Sequence, residues 1–241
     1  MKTISTDRGN IKVFPFESLG HANHGWLETR HHFSFADYLN RDRMYFGNLR
    51  VINDDIIAPG KGFDFHPHKN MEIITYVRQG AITHKDSMGN EGRTSAGNIQ
   101  VMSAGRGVVH AEYNLEKEET ILYQIWITPN QMNVEPRYEA KMFHSSFVTD
   151  ELKLLVSGRA ENTGKGALFI YQDAAIYGGR LEAEKVISVP IKYQAYVVIS
   201  EGEALINGTL LKKGDGAEVT NAHTITVEAK TTTEIIVIDA P

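Results

Sequence analysis

The sequence contains no cysteine and no block of basic residues, and both absences narrow the classes of protein to which it can belong. Without cysteine there are no disulfides, thiolate zinc sites or cysteine nucleophiles, so any metal must be held by His, Asp or Glu. Lys and Arg number 25 against 30 Asp and Glu, which gives a net charge of −5. Direct nucleic-acid binding is therefore not expected.

Long apolar runs are also missing. Residues 1–13 lack the apolar stretch of a signal peptide, and no later segment approaches the ~20 apolar residues that span a bilayer. We therefore expect a soluble, cytoplasmic protein without a membrane segment. The 241 residues suffice for one large domain or for two of similar size.

Short β-branched and aromatic runs, separated by glycine-bearing turns, dominate what is present. This pattern predicts an all-β sandwich or barrel. A helix is predicted only near residues 34–41, with a turn around Glu151. The clearest strand-like runs are residues 73–77, 121–127, 196–199 and 235–238.

The two halves of the chain show a weak internal repeat. Residues 76–80 align with residues 198–202, at an offset of about half the chain. Such an offset indicates two copies of one β-unit, joined within residues 129–140, where prolines interrupt the strand pattern. We predict two domains, residues 1–134 and residues 135–241. Chance resemblance between strand–glycine–strand segments is the alternative.

Two segments carry metal-ligating side chains at alternate positions. His66 and His68 form one pair, and His110 and Glu112 form the other. Residues at i and i+2 of a strand point to the same face, so two such strands can supply three nitrogens and one carboxylate oxygen. This set suits iron, copper, nickel, manganese or zinc, and it leaves room for water, dioxygen or substrate. Exposed or structural histidines are the alternative for each pair taken alone.

Glu72 competes with Glu112 for the carboxylate position. It lies four residues after His68, so in an unbroken strand it shares the face of both histidines of the first pair. Parity alone does not choose between the two carboxylates. The one that does not bind the metal is expected to orient a histidine or to take a proton from substrate.

These segments resemble the two sequence motifs of the cupin superfamily. The first motif is matched by Gly60, His66, His68, Glu72 and Gly80. The second is matched by Gly97, Ser103, Gly105, His110 and Asn114. A serine at the usual proline position and two additional residues before the histidine depart from the general pattern. Residues 65–72 and 103–112 are instead similar to the corresponding segments of pirins, which are two-domain cupins, and the likeness covers residues 25–129.

The resemblance to pirins implies a fold and a ligand set. The fold is two tandem cupin domains, each a jelly-roll β-sandwich, with little helix. The metal ligands would be His66, His68, His110 and Glu112, and Glu72 would lie beside them. One divalent transition metal is implied, with iron expected and copper, nickel, manganese or zinc as alternatives.

The second half of the repeat lacks these ligands. At the positions of the histidine pair and the first-motif glutamate it carries Ser188, Pro190 and Gln194. We therefore expect residues 135–241 to form a degenerate, metal-free cupin domain. Two fused cupin units can cover each other, which favours a monomer.

The resemblance also implies an activity, namely the reaction of dioxygen with a flavonol such as quercetin or with a similar hydroxyketone aromatic. Glu112 or Glu72 would take the hydroxyl proton. His31 and His32 lie in an aromatic stretch that can line a pocket. Residues that could line the ring site, or else pack in the core, are Phe46, Phe63, Phe65 and Met102.

Two other roles stay open. Pirins of animals are described as transcriptional co-regulators, so an iron-dependent redox sensor that acts through a protein partner is the alternative to an enzyme. A scaffold that the metal merely stabilises is the third possibility. The sequence shows no partner surface that would choose among them.

Overall fold

The computed structural model describes residues 3–6, 9–143 and 148–241, and strands account for most of them. The first strands in chain order are β1 (Thr3–Thr6), β2 (Gly9–Phe14), β3 (Gly20–Asn23), β4 (Leu27–His31), β5 (Leu49–Ile57), β6 (Gly62–His68), β7 (Glu72–Gln79), β8 (Ala81–Asp86), β9 (Glu91–Ser95), β10 (Asn98–Ser103), β11 (Val108–Tyr113) and β12 (Thr120–Ile127). The others are β13 (Arg137–Met142), β14 (Val148–Thr149), β15 (Lys153–Ser157), β16 (Ala175–Leu181), β17 (Val186–Pro190), β18 (Gln194–Glu201), β19 (Glu203–Ile206), β20 (Thr209–Lys212), β21 (Gly216–Thr220), β22 (Thr224–Ala229) and β23 (Thr233–Ala240).

The chain forms two compact units, each with one large and one small sheet. The described residues of the first unit lie within Gly20–His144 and Leu168–Gln172, and those of the second lie within Met1–Leu19, Ser145–Ala167 and Asp173–Pro241. In the first unit the strand orders are β13-β10-β7-β12-β5-β4-β3 and β6-β11-β8-β9. In the second they are β1-β2-β21-β18-β23-β16-β14, with β15 also paired to β16, and β17-β22-β19-β20.

The same strand order occurs in both units, as the internal repeat predicts. The order β10-β7-β12-β5 corresponds to β21-β18-β23-β16, and β6-β11-β8-β9 corresponds to β17-β22-β19-β20. β7 and β18 are the strands that carry the two aligned segments. Both have a paired strand on each side and are buried along most of their length. This is the all-β, two-cupin architecture that the motifs indicate.

The interior of the second unit is a continuous apolar cluster. Ser188 of β17 pairs with Thr226 of β22, at the place where His66 pairs with His110 in the first unit. The cluster includes Leu181, Val197, Ile225, Val227 and Val237, each at most 1% exposed. Close packing of these apolar side chains fills the interior of the second unit at the positions that correspond to His66 and His110 of the first unit.

The boundary between the units differs from the predicted division at residue 134. β2 pairs with β21, from Asn10 opposite Thr220 to Phe14 opposite Gly216, and Ile11 is fully buried in the core of the second unit. Residues 168–172 belong to the first unit, where Asn130 N–H donates to the carbonyl of Tyr171. Backbone pairing between residues far apart in sequence therefore determines which segments belong to each unit. The prolines between the two repeats do not indicate this assignment.

The predicted helix at residues 34–41 is wrong. The Ser34 hydroxyl accepts from the Asn40 N–H at 2.8 Å and donates to the Asn40 carbonyl at 2.7 Å, which closes a loop in place of helical hydrogen bonds. Phe35 and Tyr38 form an isolated antiparallel bridge. Residues 150 and 151 form a bend. The described helices are the short 3₁₀ turns Phe16–Ser18, Arg41–Arg43 and Ala160–Asn162, and none of them is long and apolar enough to cross a membrane.

Candidate metal centre

Three histidines from two neighbouring strands lie close enough to hold one metal ion. His66 and His68 are on β6, and the antiparallel register places His110 of β11 opposite His66. One ring nitrogen of each histidine lies within 4.8 Å of the others. The ring centroids of His66 and His110 are 4.5 Å apart, and those of His68 and His110 are 5.0 Å apart. The alternate spacing on β6 thus places both of its imidazoles on one face.

A β-bulge in β6 turns one more side chain toward the histidines. His110 pairs with His66 but Glu112 pairs with Phe63, so two residues of β6 lie opposite one residue of β11. The additional residue shifts the alternation of faces by one position, and Phe63 lines the same cavity as His66. Phe65 is 59% exposed and lies outside the cavity lining. The prediction that Phe65 lines the ring site therefore does not agree with the structure.

The imidazoles present lone pairs to the space between them. His66 Nδ1 lies 2.7 Å from the carbonyl oxygen of Asp64, which only accepts, so this nitrogen donates and Nε2 is the nitrogen that can bind a metal ion. His68 Nε2 is buried without a hydrogen-bond partner among the described residues. Burial, with the neighbouring imidazoles, lowers the pKa of His68 to about 4 and the pKa of His110 to about 2.

Glu112 is buried next to His110 and its carboxylate is held from three directions. Oε1 accepts from Gln100 Nε2 at 2.6 Å and from the Thr75 hydroxyl at 3.1 Å, and Oε2 accepts from Gln124 Nε2. Burial raises the pKa of Glu112 to about 7 despite these donors. The carboxylate lies within 4.8 Å of ring nitrogens of His110 and of His84, a histidine that the motifs do not include. Oε1 accepts two hydrogen bonds, whereas Oε2 accepts one and so retains lone-pair capacity for a metal ion.

Glu72 occupies a different environment from the histidines. Its side chain is fully buried, and Oε2 accepts from the Ser103 hydroxyl at 2.7 Å. Glu72 and Ser103 are neighbours in register on β7 and β10, and neither lines the cavity beside the histidines. Burial raises the pKa of Glu72 to about 7. Ser103 therefore satisfies one carboxylate oxygen of Glu72. Because Glu72 lies outside the cavity lining, the structure does not support its predicted acid–base role.

A cavity of about 510 Å³ opens beside the three histidines, within the size range of small-molecule sites. Trp126 packs edge-on against His68, with ring centroids 4.9 Å apart, and against Phe35 at 5.4 Å. The apolar and aromatic wall of the cavity includes Leu27, Phe35, Tyr38, Phe63, Ile73 and Trp126. Such a wall accommodates a flat aromatic molecule next to the ligand face.

Several polar groups on this wall lack protein partners. Asp55 Oδ1, Gln124 Oε1 and Trp126 Nε1 are buried, line the cavity and have no hydrogen-bond partner among the described residues. Burial raises the pKa of Asp55 to about 7. Buried polar atoms normally find a partner, so these atoms are available to the hydroxyl and carbonyl groups of a bound molecule.

The sequence reasoning missed most of this wall, although a signal was present. Asn53 and Asp55 occupy alternate positions of β5, and Gln124 and Trp126 occupy alternate positions of β12, among buried apolar residues of both strands. Polar residues at i and i+2 within an apolar strand indicate a hydrated or ligand-filled face. His31 lines the cavity and its Nδ1 lies 2.8 Å from Asn53 Oδ1.

Three further predicted residues lie elsewhere. Met102 packs with Ile73 and Val108 in a buried apolar cluster and is not in the cavity lining. Phe46 forms an isolated bridge with Leu49 and is not in the lining either. His32 is buried outside the cavity. Among the four predicted ring-site residues, the structure brings only Phe63 to the histidines.

The residues present fit a divalent transition metal. Three imidazoles converge with a buried carboxylate beside His110, and the buried His68 Nε2 has no partner among the described residues. Imidazole and carboxylate ligands suit iron, copper, nickel, manganese and zinc alike. The resemblance implies His66, His68, His110 and Glu112 as ligands; in the structure the three histidines meet, and Glu112 lies within 4.8 Å of His110.

Comparison with known proteins gives the chain its family. The family model described as Pirin matches residues 13–127, and that of the quercetinase C-terminal cupin domain matches residues 154–240. A pirin-like protein of Caulobacter vibrioides is 45% identical over 228 residues, which cover 94% of this chain and 97% of the relative. A protein of Escherichia coli K12 named quercetin 2,3-dioxygenase is 40% identical over 225 residues, covering 92% and 95%.

A solved structure extends this likeness to the fold. The crystal structure of the bacterial pirin YhhW from Escherichia coli in complex with nickel(II) has a TM-score of 0.89 and is 38% identical, covering 96% of this chain and 99% of that one. Both cupin units are thus shared along nearly their full length. With relatives at these identities over almost the whole chain, the protein belongs to the pirin family.

Proposed function

We propose that this protein is a metal-dependent dioxygenase that acts on a flavonol such as quercetin or on a similar hydroxyketone aromatic. The observation that carries the proposal is the position of the three histidines at the wall of an aromatic-lined cavity of about 510 Å³. The Escherichia coli relative named quercetin 2,3-dioxygenase supports the same substrate class.

The proposed ligands are His66, His68, His110 and Glu112. We propose iron as the resident ion, because a redox-capable metal suits reaction with dioxygen. The crystal structure of the Escherichia coli pirin in complex with nickel(II) supports a divalent metal in this family. When bound, the metal would supply Lewis acidity and redox capacity at this wall.

The side chains of the cavity would bind and orient the substrate. Trp126, Phe35 and Phe63 line the cavity and offer aromatic edges and faces to a flat ring system. Their apolar surface also excludes bulk water, which strengthens polar interactions inside the cavity.

The proton of the substrate hydroxyl needs an acceptor within the cavity. Glu112 and Asp55 both line it, whereas Glu72 does not. Three side chains already donate to Glu112, while Asp55 Oδ1 has no partner among the described residues. In the proposed mechanism, Asp55 Oδ1 accepts the proton and Glu112 holds its position beside His110.

The test combines elemental analysis with dioxygen uptake on quercetin, measured on one preparation before chelation, after chelation and after return of the metal. We expect close to one redox metal per chain, uptake that disappears on chelation and uptake that returns with the metal. His66→Ala and His110→Ala should lose both metal and uptake while the β-sheet circular dichroism is retained. His223→Ala, at an exposed position in the second unit, is the matched control.

Two outcomes would contradict the proposal. Uptake that persists in a variant verified to be metal-free would exclude the metal-dependent mechanism. Stoichiometric metal without uptake on any flavonol would instead favour the redox sensor, and the search would turn to a protein partner.

A further inference from the structure

His84 is a buried histidine that connects the metal centre to a carboxylate. Its Nδ1 lies 3.4 Å from His110 Nδ1, and its Nε2 lies 3.0 Å from Asp86 Oδ2. Both His84 and Asp86 are on β8, next to β11, and their side chains are fully buried. The chain of contacts therefore runs Asp86, His84, His110 without exposure to solvent.

Asp86 can act only as an acceptor in this chain. Its Oδ1 accepts from the N–H groups of Met88 and Asn90 at 2.9 and 3.0 Å, and Oδ2 accepts from Asn90 Nδ2 at 2.9 Å. A carboxyl group that faces these donors as well as an imidazole is held as the anion. His84 Nε2 must therefore carry a proton and donate it to Asp86.

The state of His84 then determines the state of His110. A neutral imidazole that donates through Nε2 has only a lone pair at Nδ1. The His110 Nδ1 that faces this lone pair must donate, because two lone pairs at 3.4 Å would repel each other. His110 Nε2 is left with the lone pair that a metal ion requires.

Packing fixes the plane of His84. Its ring stacks on Tyr138 of β13, with centroids 4.1 Å apart and an angle of 7° between the planes. The Tyr138 hydroxyl donates to Gln100 Oε1 at 3.2 Å, and Gln100 Nε2 donates to Glu112. One set of side chains thus supports both proposed ligands of β11.

We propose that His84 is a positioning residue that holds His110 in the tautomer with a free Nε2, so that this ligand is prepared before a metal ion arrives. The proposal rests on the metal site of the proposed function. It gives a role to His84 of β8, a residue that belongs to neither sequence motif. Partners of this kind orient metal-binding histidines and raise their basicity.

The direct test reads the tautomers in the metal-free, full-length protein. Long-range ¹H–¹⁵N correlation spectra distinguish a protonated Nδ1 from a protonated Nε2 for each imidazole. We expect His110 as the Nδ1-protonated form and His84 as the Nε2-protonated form. Observation of His110 protonated at Nε2 in the wild type would overturn the proposal.

Substitution of His84 tests the consequence for the metal. His84→Phe keeps a ring against Tyr138 but removes the acceptor, so we expect a mixed His110 tautomer and a loss of nickel(II) affinity of about 10- to 100-fold. His84→Asn retains an acceptor oxygen and should recover part of the affinity and a single His110 tautomer. His223→Phe, at an exposed site of the second unit, should match wild type in both measurements.

The outcomes separate this proposal from the proposed function. Unchanged tautomer and unchanged affinity in folded His84→Phe would show that His84 only fills space, and would overturn the inference. If His84→Phe does not fold, the wild-type spectrum and His84→Asn decide the question. A wild-type protein with the expected tautomers that takes up no metal would refute the metal site while leaving the tautomer assignment supported.

Discussion

Glu112 and Glu72 are both buried, but different side chains surround them, so we expect only Glu112 to affect metal binding. Glu112 is 2% exposed beside His110, and Glu72 is fully buried against Ser103. We expect Glu112→Gln to weaken metal binding more than ~10-fold, because it removes the charge of the proposed ligand and turns an amide donor toward the amide donors of Gln100 or Gln124. Glu72→Gln should keep the metal. Metal analysis of both variants checks this, and the reverse result would assign the carboxylate ligand to the first motif, as in other cupins.

Glu72 should also make stability depend on pH. Its pKa is about 7 in the folded protein because burial disfavours the charge, against ~4.3 for an unperturbed glutamate. The folded state therefore binds the proton more tightly, and this stabilisation is lost as the pH rises toward 7. Between the unfolded pKa of ~4.3 and the folded pKa of about 7, this group alone lowers the free energy of unfolding by up to about 1.4 kcal/mol for each pH unit of increase.

The glutamine variant isolates this effect. Glu72→Gln does not titrate, so its stability relative to wild type should increase from pH 5 to pH 7 and then level off. Urea unfolding at each pH measures the difference, with Glu118→Gln at an exposed position as control. A difference that stays constant across the range would mean that Glu72 is ionised throughout.

At the residue scale, spacing predicted which histidines meet, and it marks polar faces on β5 and β12, but it does not say that these faces meet the histidines. His66 and His68 follow from alternation within one strand, which is a local property. Asp55 and Trp126 lie on β5 and β12, and they reach the histidines of β6 only because two sheets enclose the cavity. No local pattern in either strand states which sheet it will face.

Among the elements, β6 shows how a single irregularity changes a site. The bulge at residues 64–65 brings Phe63 to the cavity and sends Phe65 outward. Sequence alternation cannot reveal it, because the bulge exists only in the pairing with β11. The loop at residues 34–41 is a similar case, since hydrogen bonds between Ser34 and Asn40 replace the helix that the composition favours.

The close approach of β6 to β11 gives a prediction for Gly62. A Cβ at Gly62 would overlap the carbonyl oxygen of Glu112 and the backbone of Tyr113. We expect Gly62→Ala to lower the free energy of unfolding by ~1–3 kcal/mol and to weaken nickel(II) binding, because the two strands that carry the ligands must separate. Urea unfolding and metal titration measure the two effects.

The comparison variant is Gly60→Ala, which replaces a glycine of the first motif. No atom lies within 4 Å of a Cβ at Gly60, although its φ of +67° makes the residue strained there. We therefore expect a loss of ~1 kcal/mol in stability with little change in metal affinity. Equal losses of affinity in both variants would contradict the role of the strand contact.

For the whole molecule, the internal repeat predicted the duplicated architecture, and the family resemblance is confirmed. The aligned glycines Gly80 and Gly202 each follow a central strand, β7 and β18, and both have φ between +70° and +79°. The location of the unit boundary was not predictable in this way. Pairing of β2 with β21 joins segments about 200 residues apart, and neither segment carries a signal for the other.

The two units also predict separable effects of mutation. Ile11 is fully buried in the second unit, whereas the proposed ligands are all in the first. We expect Ile11→Ala to lower the free energy of unfolding by ~2–5 kcal/mol, through lost burial and a residual cavity, without changing the metal content of the folded protein. Denaturant unfolding and elemental analysis test this. Leu210→Ala, 45% exposed in the same unit, should change neither quantity, and metal loss in Ile11→Ala alone would contradict the separation.

The pairing of β2 with β21 also orders events during synthesis on the ribosome. Every strand of the first unit emerges before β21 does, so the histidine-bearing sheets can close while β2 still has a free edge. That edge must wait for the translation of about 200 further residues, an interval of roughly 10–40 s at elongation rates of ~5–20 residues per second. During this interval β2 has only β1 as a paired neighbour, and its other edge is open to capture by a chaperone or by the nascent chain of a neighbouring ribosome.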